Sequence, residues 1–169
     1  MATATLLPVL TSDPDLAQDT EQLYDALEDL LRVYQFRDRD RICCFDISVS
    51  QRYALEGLVR RGGMTLNELA AFLYIDKSTA SRVVDALERK GYVARLPHEK
   101  DRRAVLLEAT SAGRELEGRI RESILAEERQ LLADFAPEVR QAMTQLIRRL
   151  ARAASAAVET SGGSCCRIP

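Results

Sequence analysis

The chain has 169 residues, enough to bury a real core in one compact domain or in a small domain with a helical extension, and too few for two large independent domains. With 46% hydrophobic and 30% charged residues, five prolines and no tryptophan, the composition is that of a helix-rich globular protein and excludes a disordered one. No stretch approaches the roughly 18 uninterrupted apolar residues of a membrane span, and the start MATATLLPVLTSDPD lacks a basic n-region, so the expected location is cytoplasmic, with no membrane partner.

The formal net charge of −2 hides a polarity along the chain. Met1 to Ile47 carries a balance of −6, Arg60 to Arg103 a balance of +4, and the remainder equal numbers of arginines and acids. A basic centre between acidic or neutral flanks suits a module that touches phosphates while its flanks pack against something else.

The first dozen residues have no period and read as a loose arm. Leu16, Leu23, Leu27, Leu30, Leu31 and Tyr34 then recur at helical spacing, which predicts a helix over about Asp15 to Arg39 with one apolar stripe that must be buried. The run Arg37 to Ser48 reads as a charged connector holding an adjacent pair, Cys43-Cys44. Ser50 is a helix start, and a second helix to Arg61 ends at Gly62-Gly63.

Thr65 followed by Glu68 is a capping box that opens a short helix from Leu66 to Leu73. After a tight turn at Tyr74-Ile75-Asp76, a helix begins near Lys77, turns Val83, Val84 and Leu87 inward and ends at Gly91. Tyr92 to Leu96 and Ala104 to Glu108 have strand content, and the polar stretch PHEKDRR between them predicts a hairpin wing. Its His98, the single histidine, reads as a loop residue rather than a ligand. Thr110 and Ser111 cap a long helix to about Phe135, Pro137 starts another to about Glu159, and TSGGSCCRIP reads as a flexible tail. The apolar stripes in Ile120 to Leu132 and Met143 to Leu150 read as an interface.

Two short helices joined by a tight turn, the second presenting small polar and basic side chains, form the arrangement that puts a helix into the DNA major groove. Lys77, Ser78, Thr79, Ser81 and Arg82 supply that row. Serine and threonine let the backbone approach closely and bond to phosphate or to base edges, and arginine reaches guanine through two parallel hydrogen bonds. The helix N-terminus adds amide donors for a phosphate. In the hairpin, Arg102 and Arg103 are candidates for insertion into the neighbouring minor groove.

Over most of its length the chain resembles the MarR family of bacterial regulators. The likeness is carried by LNELAAFLYIDKSTASRVVDALERKGYVAR, by the DRR at Asp101 to Arg103 that matches the family's Asp-x-Arg wing signature, and by VLLEATSAG. It implies a mainly α (α+β) winged helix-turn-helix fold, with long N- and C-terminal helices that interlock two subunits, and ligand-sensitive control of a promoter. It also implies groove contacts from Ser78, Thr79, Ser81 and Arg82, a minor-groove role for Arg103 and an orienting role for Asp101. Where the family commonly has Leu-Thr before its fifth helix this chain has Glu108-Ala109-Thr110, which leaves Thr110 able to cap.

The expected organisation is an arm and dimerisation helix over 1–47, the DNA-binding domain over 48–110, C-terminal dimerisation helices over 111–160 and a cysteine-containing tail over 161–169. The expected partners are a second copy of the chain, a pseudo-palindromic double-stranded operator and a small effector. Cofactors are not required.

All four cysteines lie in adjacent pairs, Cys43-Cys44 and Cys165-Cys166. A structural disulfide does not suit a reducing cytoplasm. The pairs are therefore incidental, a redox switch, or a thiolate site for a soft ion such as arsenite, mercury or cadmium, with zinc as a structural occupant. A module that binds a protein partner instead of DNA is the competing reading, and the polar face of the Lys77 helix counts against it. There is no phosphate-binding glycine loop, no H-E-x-x-H and no nucleophile with a histidine partner, so an enzyme is not expected.

Overall fold

A computed structural model describes residues 14–42, 44–97 and 105–160. Their elements run α1 (Leu16–Ile42), α2 (Val49–Arg61), β1 (Met64–Thr65), α3 (Leu66–Leu73), α4 (Lys77–Arg89), β2 (Val93–Pro97), β3 (Val105–Ala109), α5 (Ser111–Leu132) and α6 (Pro137–Thr160). They fall into two compact units divided between Glu117 and Gly118. No helix of the described residues is long and apolar enough to cross a membrane.

In the first unit the helix-turn-helix pair α3 and α4 packs on α2, and a three-stranded antiparallel sheet of order β1-β3-β2 closes the other side. The core is a set of fully buried aliphatic side chains, one or two from each layer: Leu55 and Leu58 of α2, Leu69 of α3, Val84 and Leu87 of α4 and Leu107 of β3. Each contributes about 1.5–3 kcal/mol by leaving water. The hairpin register pairs Val93 with Ala109, Arg95 with Leu107 and Pro97 with Val105, so Val93, Leu107 and Ala109 fall on the core face.

Several boundaries differ from the sequence expectation. Arg37 to Ile42 is not connector but the last turns of α1, which ends with Ile42 buried. The cap of α2 is Ser48 rather than Ser50: its Oγ accepts from the Gln51 N–H at 3.2 Å, and Gln51 Oε1 accepts from the Ser48 N–H at 3.2 Å, a reciprocal box that Ser50 cannot form. Both strands lie about one residue later than expected. Strand β1 pairs Met64 with Leu107, too short a ladder to leave a period in the sequence. Helix α5 stops at Leu132, where the chain tightens through the Phe135 N–H to the Leu132 carbonyl ahead of Pro137.

The chain leaves α4 and enters α5 through one joint. Gly91 takes φ +76°, the left-handed region open to glycine, and lets the strand turn back. Thr110 closes the hairpin at its base: its hydroxyl donates to the Gly91 carbonyl at 2.7 Å, its N–H to the Tyr92 carbonyl at 3.0 Å, and its Oγ1 accepts from the Gly113 N–H at 3.1 Å. Gly113 is buried, and a Cβ there would collide with the Tyr92 carbonyl and press on Leu55.

Helices α1 and α2 meet through a polar cluster. Asp38 accepts a short hydrogen bond from the Tyr53 hydroxyl and a longer one from Arg52 at 3.5 Å, and Arg52 pairs with Glu56 at 3.6 Å. Burial, followed by the hydrogen bond to the Asp38 carboxylate, pushes the Tyr53 hydroxyl from an ordinary 10.0 to about 12.

Gly113→Ala is expected to lower stability by about 1–3 kcal/mol, read as a fall in the urea midpoint with unchanged slope. The raised Tyr53 value favours the protonated hydroxyl in the folded state. Its contribution is therefore whole below pH 10.0 and is lost as pH rises through about 12. Urea melts of the parent and of Tyr53→Phe across that window should show a steeper alkaline loss in the parent; parallel curves would refute the coupling.

Candidate nucleic-acid interface

Helix α4 is sorted cleanly by burial. Ala80, Val84 and Leu87 are buried, whereas Lys77, Ser78 and Arg82 are exposed and Thr79 and Ser81 are half-buried beside them. The spacing of the apolar residues fixes this: three or four residues apart they share one stripe, and the first turns are left to present polar groups on the other side.

The turn before α4 is tight because Tyr74 adopts φ +54°, alone among the described non-glycine residues, while its N–H closes the last turn of α3 onto Ala70 and Ala71. Asp76 then caps α4. Its Oδ1 accepts from the Thr79 N–H at 2.8 Å and from the Ser78 hydroxyl at 2.5 Å, and its Oδ2 accepts from the Thr79 hydroxyl at 2.7 Å. Thr79 Oγ1 in turn accepts from Arg82 Nη2 at 3.1 Å. The bonds from Ser78 and then Thr79 hold the Asp76 carboxyl well below the usual carboxylate range. One amide donor of the first turn is therefore already engaged by a side-chain carboxylate.

The wing is braced against this helix. Arg95 of β2 pairs through Nη2 with Asp85 at 2.5 Å and through Nη1 with Glu88 at 2.8 Å, two acids three residues apart on α4. All three side chains are 36–41% exposed. The bridge therefore adds little stability, but it fixes the strand to the helix and neutralises two carboxylates. At the other end of α4, Asp46 accepts from the Tyr92 hydroxyl at 3.0 Å and lies 4.0 Å from Lys90, which also donates to Gln51 at 3.4 Å.

Ser78, Thr79 and Arg82 are thus brought into one network, with Lys77 and Ser81 on the same turns. Asp101, Arg102 and Arg103 lie outside the described residues, in the seven-residue connection between the paired Pro97 and Val105. Cys43, Cys165 and Cys166 also lie outside them. Cys44, two residues after the end of α1, is exposed, and no group of three metal-binding side chains occurs among the described residues. Sequence reasoning did not single out Asp76 and Arg95 as part of the site. The first was findable, since an aspartate three residues before a threonine at a helix start is a cap signal. The second was not, because its partners are defined only once strand and helix are packed.

The model of the MarR family matches residues 47–105. The HTH-type transcriptional regulator PecS of Dickeya dadantii is 30% identical over 109 residues, which make up 63% of this chain and 66% of PecS, just under two thirds. An uncharacterized HTH-type transcriptional regulator of Mycobacterium leprae is 35% identical over 64% of this chain and 71% of its own length. The transcriptional activatory protein BadR of Rhodopseudomonas palustris is matched over 39% of its length, at 33% identity. Among solved structures, a MarR family protein from Bacillus stearothermophilus superposes with a TM-score of 0.75 at 24% identity, covering 82% of this chain and 97% of that one. A MarR transcriptional regulator from Methanosarcina mazei gives 0.70 at 28% identity over 79% and 96%. The fold, the helix-turn-helix with its wing and these likenesses converge: the chain belongs to the MarR family, a family of DNA-binding transcriptional regulators and not of enzymes.

Proposed function

We propose that this regulator acts as a homodimeric repressor that holds a pseudo-palindromic operator and releases it when an effector binds. The observation that carries the reading is the exposed polar turn of α4, capped and backed by buried aliphatics. An exposed apolar row, which a protein partner would want, is absent from that face among the described residues. Lys77, Ser78, Thr79, Ser81 and Arg82 meet the major groove, and Arg103, oriented by Asp101, reaches the minor groove, with Arg102 beside it in sequence as a second candidate.

Dimerisation is supported by apolar side chains that stand exposed on the described helices. In the first unit α1 exposes Leu23, Leu30, Leu31 and Phe36, and in the second α6 exposes Leu146 and Ile147. Residues of this kind at helical spacing are the stripe that a second copy buries. The effector is a thiophilic species acting at Cys43-Cys44 with Cys165-Cys166, either a soft ion such as arsenite, mercury, cadmium or zinc, or an oxidant. Two features favour that position: Cys44 is exposed, and the segment after it is tied to the end of α4 through Asp46, Tyr92 and Lys90.

On its own upstream DNA the protein should protect two half-sites about 34 Å apart. Arg82→Ala should lose about 1–3 kcal/mol of specific affinity and keep its binding to random DNA. Absence of any footprint, together with unchanged binding by that variant, would overturn the reading. Arg95→Ala should change unfolding free energy by less than about 1 kcal/mol yet weaken operator binding, because α4 then carries two unneutralised carboxylates. For the thiol effector, operator release is titrated with arsenite, mercury, zinc and peroxide; Cys43→Ser and Cys165→Ser should resist it, and equal release in both variants ends that part of the proposal.

A further inference from the structure

The network at the start of α4 has a direction. A carboxylate can only accept hydrogen bonds, so the contacts of Asp76 with Ser78 and Thr79 oblige both hydroxyls to donate their protons to it. Each hydroxyl has one proton. Thr79 has spent its proton on Asp76 and one lone pair on Arg82. Ser78, exposed at the tip of the helix, has only lone pairs left to offer outward.

We infer that Asp76 makes the tip of α4 a one-sided reader: Ser78 faces the groove as an acceptor and selects a base that presents its amino group in the major groove, adenine or cytosine, against guanine and thymine. In the major groove adenine N6 and cytosine N4 are donors, whereas guanine O6 and thymine O4 are acceptors, so a proton-spent hydroxyl pairs with the first two and repels the others. The same loss of protons removes Ser78 and Thr79 from the groups that can hold a phosphate, and the nearby carboxylate repels one. The backbone contact at this end falls to Lys77, exposed on the same turn. Arg82 gives one nitrogen to Thr79 and keeps its remaining N–H groups for an acceptor base such as guanine. Asp76 is thus a specificity-determining residue that touches no base itself. Its carboxyl, held in the charged form by these bonds, keeps the polarity fixed.

The inference rests on α4 being the groove-reading helix, and the experiment separates the two claims. The parent, Asp76→Asn, Asp76→Ala and Ser78→Ala are each used to select binding sites from a pool of random duplex DNA. Asparagine caps a helix as well as aspartate does, so Asp76→Asn keeps the fold while its amide supplies donors that release a hydroxyl proton. The expected parent half-site has adenine or cytosine at one position near a guanine. That position should broaden to guanine or thymine in Asp76→Asn and Asp76→Ala, and lose its preference in Ser78→Ala while the other positions stay. If adenine is selected there, replacing it by purine, which lacks the amino group, should cost the parent roughly fivefold in affinity and cost Ser78→Ala nothing. If cytosine is selected, the readout is its replacement by thymine. Parent selection of guanine or thymine at the position that Ser78→Ala affects, or an identical preference in Asp76→Asn, overturns the inference alone. A parent selection with no enriched sequence overturns the repressor reading and this inference with it.

Discussion

Burial of the Ala80, Val84 and Leu87 stripe is the constraint on which the rest depends. Once those side chains are placed against α2, α3 and the sheet, the rotation of α4 about its axis is settled, because the helical period leaves no other way to hide all three. The polar turn then has to face outward, whatever it meets there. Chemistry on that turn is inherited from packing beneath it.

Around this fixed helix the chain arranges three ties of different kinds. Arg95 joins the wing to the outer side of α4 by charge, Asp46 joins the segment after α1 to its C-terminal end by hydrogen bonding, and Thr110 joins the strand ladder to α5 through backbone groups. The first two are exposed and cheap to break; the third is backed by a buried glycine that tolerates no side chain. The molecule therefore has a stiff joint where the wing is rooted and softer ones where it is aimed.

Much of this was legible in the amino-acid order, and the reason differs from element to element. The Thr65 and Glu68 box, Gly91 and Pro137 are local devices whose effect is confined to a few neighbours, so their reading needs no tertiary knowledge. The choice between Ser48 and Ser50 turned on whether Gln51 could reciprocate, a detail one residue deep. The extra turns of α1 were hidden by a run of alternating charges that mimics a connector. Strand β1 and the Arg95 bridge were beyond reach, since each is defined by a partner dozens of residues or a whole layer away. Ser78, Thr79 and Arg82 were recognisable as a polar row at the start of α4, but the direction of their protons was not, because it is set by Asp76 in a geometry only the folded turn creates.

The closure at Thr110 has a consequence for how such a protein can vary. With its hydroxyl 2.7 Å from the Gly91 carbonyl, the two ends of the hairpin are pinned together, and everything between them behaves as a cassette plugged into one socket. The entropy of closing a loop rises only slowly with its length, roughly 0.6 kcal/mol for each doubling. Residues can therefore be added to or removed from the connection between Pro97 and Val105 with little effect on the domain that carries it. A lineage of such regulators is free to experiment with the reach of its wing while the socket stays the same, and an engineer could graft one wing for another at the same two positions.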